Sequence, residues 1–176
     1  MQRKSIWTIG HSTHSLDEFM LMLKSFDIEM IADIRRFPGS KRYPHFSKEA
    51  LTISLPEAGI EYTHLSDLGG RRKTNINSVN NGWRLAAFRG YADYMETDSF
   101  QTAVKKLESL ADKKRVAYMC AEAVWWSCHR SLVSDYLKHQ NWTVIHIMGV
   151  SKGQEHPYTA PARIIDGKLD YSKPSL

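Results

Sequence analysis

Apolar positions along the chain switch repeatedly between a period of two and a helical period. Ser5-Ile-Trp-Thr-Ile-Gly10 is a short β-rich run closed by glycine. Ser15-Leu-Asp-Glu18 then offers a capping box, and Leu16, Phe19, Met20, Leu23 and Phe26 follow at helical spacing. Residues 29–34 predict a second, buried strand, followed by a Pro-containing basic loop and a short helix that opens at Ser47 and stops near Pro56. Residues 61–65 predict a third, weaker strand. The stretch 66–81 holds too few apolar side chains for a core of its own, which predicts a mobile or ligand-ordered loop. Residues 89–96 predict a short helix, and Asp98 the cap of a longer one whose stripe is Phe100, Ala103, Val104, Leu107 and Leu110. A strand at 115–119, a helix capped by Ser127 and carrying Leu132, Val133, Tyr136 and Leu137, and a strand at 142–147 complete the pattern. In the tail, 151–176, the turn dipeptide Asp166-Gly167 lies between Arg163-Ile-Ile and Lys168-Leu-Asp-Tyr171 and predicts a small hairpin.

Strands alternating with amphipathic helices predict an α/β fold: a three-layer arrangement with a mostly parallel sheet and helices on both faces. The strand order is not fixed by the pattern. A length of 176 residues, 42% of them hydrophobic, predicts a single domain over residues 1–176 with its core at about 5–150. No internal repeat or low-complexity tract interrupts it. Two cysteines only, Cys120 and Cys128, argue against a disulfide-stapled secreted module and for a reducing compartment. The N-terminal run has no apolar signal region, and no apolar stretch is long enough to span a bilayer, so the expected location is cytoplasmic, with no membrane partner.

The formal charge of +5 is modest, but its distribution is not even. Arg35, Arg36, Lys41, Arg42 and Lys48 lie in a stretch without an acid, and so do Arg71, Arg72, Lys73, Arg84 and Arg89. Two basic loops carry the bias, either as solvated surface or as a footprint for an anion.

In a parallel sheet every segment that leaves a strand for its helix emerges at one edge, where open α/β proteins bind ligands. The chemically distinctive residues fall there. His11 and Ser12 follow the first strand; Asp33, Arg35 and Arg36 end and follow the second; Gly69, Gly70 and Arg71 follow the third. Cys120 to Arg130 follows the fourth, with Glu122, Cys128 and His129 between. With Ser127 as cap, Cys128, His129 and Arg130 occupy the first helical turn, where the dipole and unpaired N–H groups favour a thiolate or a bound anion. Cys120, Cys128, Glu122 and His129 are then the candidate catalytic groups. The alternative is that both cysteines are buried hydrophobes. Arg35 and Arg36 suit planar anion recognition, with Asp33 either orienting one of them or forming a buried ion pair. Gly69 and Gly70 allow close backbone approach to an anion or mark a turn. Cys120, Cys128, His129 and His11 are metal-ligand types, but two cysteines eight apart with a His directly after the second match no standard zinc spacing, so no metal ligand is assigned. His64, His139 and His146 read as structural.

Thr8-Ile-Gly-His-Ser12, Asp33-x-Arg35 with Pro38-x-Ser40, Leu68-Gly-Gly70, Tyr91-x-x-Tyr-Met95 and Cys120-x-Glu122 ahead of Cys128-His-Arg130 occur in order between residues 6 and about 150. As a set they resemble the bacterial and archaeal domain-of-unknown-function family 488, and Glu155-His156 with Ala162-Arg163 is similar to it as well. The resemblance implies an α/β domain of this size and a site at His11, Asp33, Arg35, Cys120, Glu122, Cys128, His129 and Arg130. It implies no reaction and no cofactor.

Three functions are open at this level. One is an enzyme for a small anionic or nucleotide-like substrate, with Arg35 and Arg130 binding charge and a thiolate at Cys120 or Cys128. Another is a nucleic-acid-binding or processing protein whose loops 35–48 and 71–89 track phosphates while Tyr43, Phe46 or Trp83 stack on bases. The third is a regulator that binds a small ligand without catalysis. Cofactor and oligomeric state are not legible.

Overall fold

The computed structural model describes residues 3–39 and 41–175, so Ser40 of the Pro38-x-Ser40 motif lies outside the described residues. Its centre is a six-stranded sheet in the order β3-β2-β4-β1-β5-β6, built from β1 (Lys4–Gly10), β2 (Met30–Asp33), β3 (Glu61–His64), β4 (Val116–Cys120), β5 (Trp142–Gly149) and β6 (Lys152–Glu155). The first five are parallel, and β6 pairs antiparallel with β5. Five helices cover both faces: α1 (Leu16–Ser25), α2 (Lys48–Glu57), α3 (Ala86–Met95), α4 (Asp98–Lys113) and α5 (Arg130–His139). The expected three-layer α/β fold is therefore what the chain adopts.

Side-chain alternation along the strands divides the core. Trp7 and Ile9 of β1 face α1 and α2, packing with Phe19, Leu23, Leu51 and Leu55. Ile6 faces the other way, into the cluster of Tyr91, Phe100, Val104, Leu107, Leu132 and Val133 on α3, α4 and α5. The central strands are buried on both faces, which is why they read as nearly continuous apolar runs.

Local departures from the sequence expectation have identifiable causes. Thr97, not Asp98, caps α4, its hydroxyl accepting the Phe100 N–H at 3.3 Å, while Asp98 sits in the first turn. The stretch 66–81 is pinned rather than mobile. Buried Asp93 of α3 accepts from the Asn75 N–H at 2.8 Å, the Ser78 hydroxyl at 2.5 Å and Asn80 Nδ2 at 2.7 Å. The tail adds the unexpected strand β6 before forming the expected hairpin of β7 (Arg163–Ile165) and β8 (Lys168–Asp170). Among the described residues no helix is long and apolar enough to cross a membrane.

Candidate functional site

β1 and β4 lie side by side, yet β1 leads to α1 on one face and β4 leads to α5 on the other, so a crevice opens at their carboxyl ends. Pairing continues past the strands: the His11 N–H donates to the Cys120 carbonyl at 3.0 Å and the Ser12 N–H to that of Ala121 at 2.9 Å. Residue 122 then crosses over the end of β1, where a Cβ on Gly10 would overlap the Glu122 carbonyl. Only glycine permits that crossing.

Cys120 closes β4 and is 2% exposed; Cys128 is partly exposed, in extended conformation two residues before α5. Neither is in a disulfide, and their Sγ atoms lie 2.9 Å apart, inside van der Waals contact. The N–H of Arg130 donates to Cys128 Sγ at 3.4 Å. Burial opposes ionisation of Cys120, but the hydrogen bond with Cys128 and the Arg130 guanidinium outweigh it and hold this thiol at about 7. Burial and the neighbouring sulfur push Cys128 well above the ordinary thiol range. The pair thus loses one proton readily and keeps the second, which the two sulfurs share.

The expected cap at Ser127 is displaced. Trp125–Ser127 form a 3₁₀ turn, because Trp125 is drawn inward to stack on His146 with ring centroids 4.8 Å apart, and α5 starts only at Arg130. Cys128 therefore precedes the helix and feels its N-terminus through the Arg130 N–H instead of lying in the first turn.

Arg130 is 1% exposed. Its Nη2 donates to the carbonyls of Glu122 at 3.1 Å and Ala123 at 3.4 Å, bracing the loop above Cys120, and its Nη1 donates to Thr8 Oγ1 at 3.2 Å. From Thr8 a chain of hydrogen bonds runs inward: Oγ1 to His146 Nδ1 at 2.6 Å, His146 Nε2 to His156 Nδ1 at 2.8 Å, and His156 Nε2 to Asp135 Oδ1 at 2.8 Å. Asp135 only accepts, so the donor assignment that satisfies every link points from Arg130 through Thr8, His146 and His156 to Asp135. Burial, reinforced by His156 and Arg130, lowers the His146 pKa to about 2, so this imidazole is neutral. Its structural role is as expected; its connection to the thiols was not.

Arg35 is held in the same manner from the other side. Its Nε and Nη2 clasp Asp33 Oδ1 and Oδ2 at 2.9 and 2.7 Å, and Nη1 donates to His11 Nε2 at 3.2 Å. Those contacts use three of the five guanidinium N–H groups, and Arg35 is among the residues that line the cleft. His11 stacks on Phe46, its Nδ1 bonded to the Ser12 carbonyl at 3.0 Å. Burial, offset in part by that bond and reinforced by Arg35, lowers its pKa to about 4. Asp33 and His11 thus orient Arg35.

The cleft has a volume of about 400 Å³. Arg35, Arg36, Gly70, Arg71, Cys120, Glu122, Cys128 and His129 line it, whereas His11, Ser12, Asp33, Gly69 and Arg130 do not. Arg36 Nη1 donates to the Arg71 carbonyl at 2.9 Å, and both guanidinium groups flank the ring of Phe37, which is 65% exposed. Among the described residues neither Arg36 nor Arg71 has a carboxylate partner. Gly69 and Gly70 are tightly packed: a Cβ would fall 2.5 Å from Arg36 Cβ at the first and 3.0 Å from His129 Nδ1 at the second. His129 Nε2 donates to the Ile34 carbonyl at 3.0 Å, and burial lowers its pKa to about 4.

Phe46 is fully buried and Trp83 is 9% exposed, so neither is available to stack on a base as the nucleic-acid reading expected. The aromatic rings at the cleft are Phe37, Phe88 and Tyr91. Tyr91 stood in the ordered motif set, but nothing in the sequence marked Phe37 beyond its place next to Arg36. Among the described residues no three His, Cys, Asp or Glu side chains gather as metal ligands, and His11 Nε2 and His129 Nε2 are already engaged.

The family model described as "Domain of unknown function DUF488" matches residues 15–137. That span holds the Asp33, Gly69 and Cys120–Arg130 segments but not Gly10 or His156. No curated protein and no solved structure matches the chain.

Proposed function

The chain belongs to the DUF488 family, whose description fixes no reaction, and from its own cleft we propose that it is an enzyme acting on a small anionic, nucleotide-like substrate through a thiolate. The observation that carries this reading is the sulfur pair, 2.9 Å apart, in a cleft with three guanidinium groups and the single carboxylate of Glu122 on its walls. Cys128, the more exposed sulfur, is the nucleophile, and Cys120 shares its proton. Arg36, Arg71 and the unused N–H groups of Arg35 take the anionic group, and Glu122 moves protons. The exposed ring of Phe37 suits a flat substrate, and the volume is that of a small-molecule site. Unpaired thiols in contact fit a reducing compartment such as the cytoplasm.

The test is protection. Inorganic phosphate at low ionic strength is expected to slow iodoacetamide alkylation of Cys128 in a saturable way, and Arg36→Ala with Arg71→Ala to abolish the effect. Alkylation that proceeds at the same rate at every phosphate concentration contradicts the reading.

A further inference from the structure

We propose that Cys120 and Cys128 work as one dithiol that reduces small anionic disulfides, with Cys128 attacking and Cys120 resolving. This rests on the reading above, that the cleft admits an anion beside a reactive thiol.

Three observations lead here. First, the sulfurs are already in contact at 2.9 Å, so a mixed disulfide formed on Cys128 meets its resolving sulfur without backbone movement. Second, the two positions are unequal in the way the sequence of attack requires. Both line the cleft, but Cys128 is partly exposed, whereas Cys120 is 2% exposed and fixed at the end of a central strand. Third, neither imidazole near the site is placed to protonate a leaving group, which leaves Glu122 as the one carboxyl among the lining residues. His11 has its Nε2 occupied by Arg35, and His129 spends its Nε2 proton on the Ile34 carbonyl. Cleaving an ester or amide calls for such an acid, but a thiolate departs without one.

The steps balance within the named reactants. Within the singly ionised pair the Cys128 proton passes to Cys120, and the Cys128 thiolate so formed attacks one sulfur of R–S–S–R, forming Cys128–S–S–R and expelling RS⁻, which takes up a proton. Cys120, losing its proton to solvent or Glu122, attacks Cys128 Sγ and expels the second RS⁻. Two electrons pass from the enzyme dithiol to the substrate, leaving two RSH and a Cys120–Cys128 disulfide. Two molecules of a low-molecular-weight thiol restore the dithiol by the reverse exchange. Arg36 and Arg71 at the rim favour disulfides that carry carboxylates.

The probe is glutathione disulfide, with neutral bis(2-hydroxyethyl) disulfide as comparison, followed by intact-mass and peptide mass spectrometry on the full chain. The wild type is expected to lose the mass of two hydrogens and retain no glutathione. Cys120→Ser is expected to hold one glutathione on Cys128, and Cys128→Ser to take none. At low salt the anionic probe is expected to react about tenfold faster than the neutral one. Glutathione that stays on Cys128 of the wild type overturns the resolving role of Cys120. Absence of exchange, while phosphate still protects Cys128 from alkylation, overturns the dithiol proposal and leaves the anion-cleft reading standing. Absence of both exchange and phosphate protection overturns the two together.

Discussion

Arg130 and Thr8, 122 residues apart, meet where Nη1 donates to Oγ1 at 3.2 Å, and this contact joins the thiol site to a buried chain that ends on Asp135. Each link joins one donor to one acceptor in a single direction, so removing a link strands its neighbours. Thr8→Val leaves His146 Nδ1 and one Arg130 N–H without partners. The expected loss is about 1–3 kcal/mol, read as a lower urea midpoint, with a rise in the pH at which the thiols become reactive. Thr8→Ser keeps the hydroxyl and is expected to keep the wild-type pH profile. A Thr8→Val protein with an unchanged profile would show that the chain does not position Arg130.

Acid acts through the buried imidazoles. His11 and His129 have pKa values lowered to about 4 from the ordinary 6.5, chiefly by burial, so the unfolded chain binds more protons than the folded one between those limits. Stability present above pH 6.5 is therefore lost as pH falls toward 4, at about 1.4 kcal/mol per pH unit for each histidine. His146, at about 2, extends the loss to lower pH. Urea midpoints at pH 7 and pH 4.5 check this: the second is expected to be clearly lower, and equal values contradict the burial of neutral rings.

Gly10 is the crossing point of the loop that carries Glu122. In Gly10→Ala the added methyl meets the Glu122 carbonyl and must displace the 121–124 segment, along with the braces it receives from Arg130. A cost of about 1–3 kcal/mol is expected, together with slower alkylation of Cys128 at neutral pH. Wild-type stability and reactivity in this variant would contradict the crossing.

Asp93 holds the segment next to the cleft in place. Asp93→Ala removes the acceptor for Asn75, Ser78 and Asn80 at once, and limited proteolysis is expected to nick the chain between residues 73 and 82 much faster than in the wild type. A cleavage pattern identical to the wild type would contradict this anchoring.

Periodicity was sufficient to read the five parallel strands, both helical faces and the gathering of Arg35, Gly70, Cys120 and Cys128 at one sheet edge, because those features follow from local pattern and the direction of a parallel sheet. What it did not carry was tertiary. The start of α5 moved because Trp125 found a partner in His146, a contact between two elements that no local signal links. The buried chain stayed hidden for the same reason: His156 reaches His146 only because β6 turns back along β5. Residues 66–81 looked unanchored because their anchor, Asp93, lies on a later helix and has the composition of a surface acid.

The central claim is that two sulfurs in contact share one proton beside a buried guanidinium and are reactive for that reason. The direct measurement is the rate of alkylation at Cys120 and Cys128 in the folded protein as a function of pH, each site read by peptide mass spectrometry. A single modification, mostly on Cys128, with an apparent pKa of the pair below the ordinary thiol value that rises by about one unit or more in Arg130→Gln, is the expected result. Two thiols that react independently near the ordinary value of about 8.5, or that react only after denaturation, would contradict it.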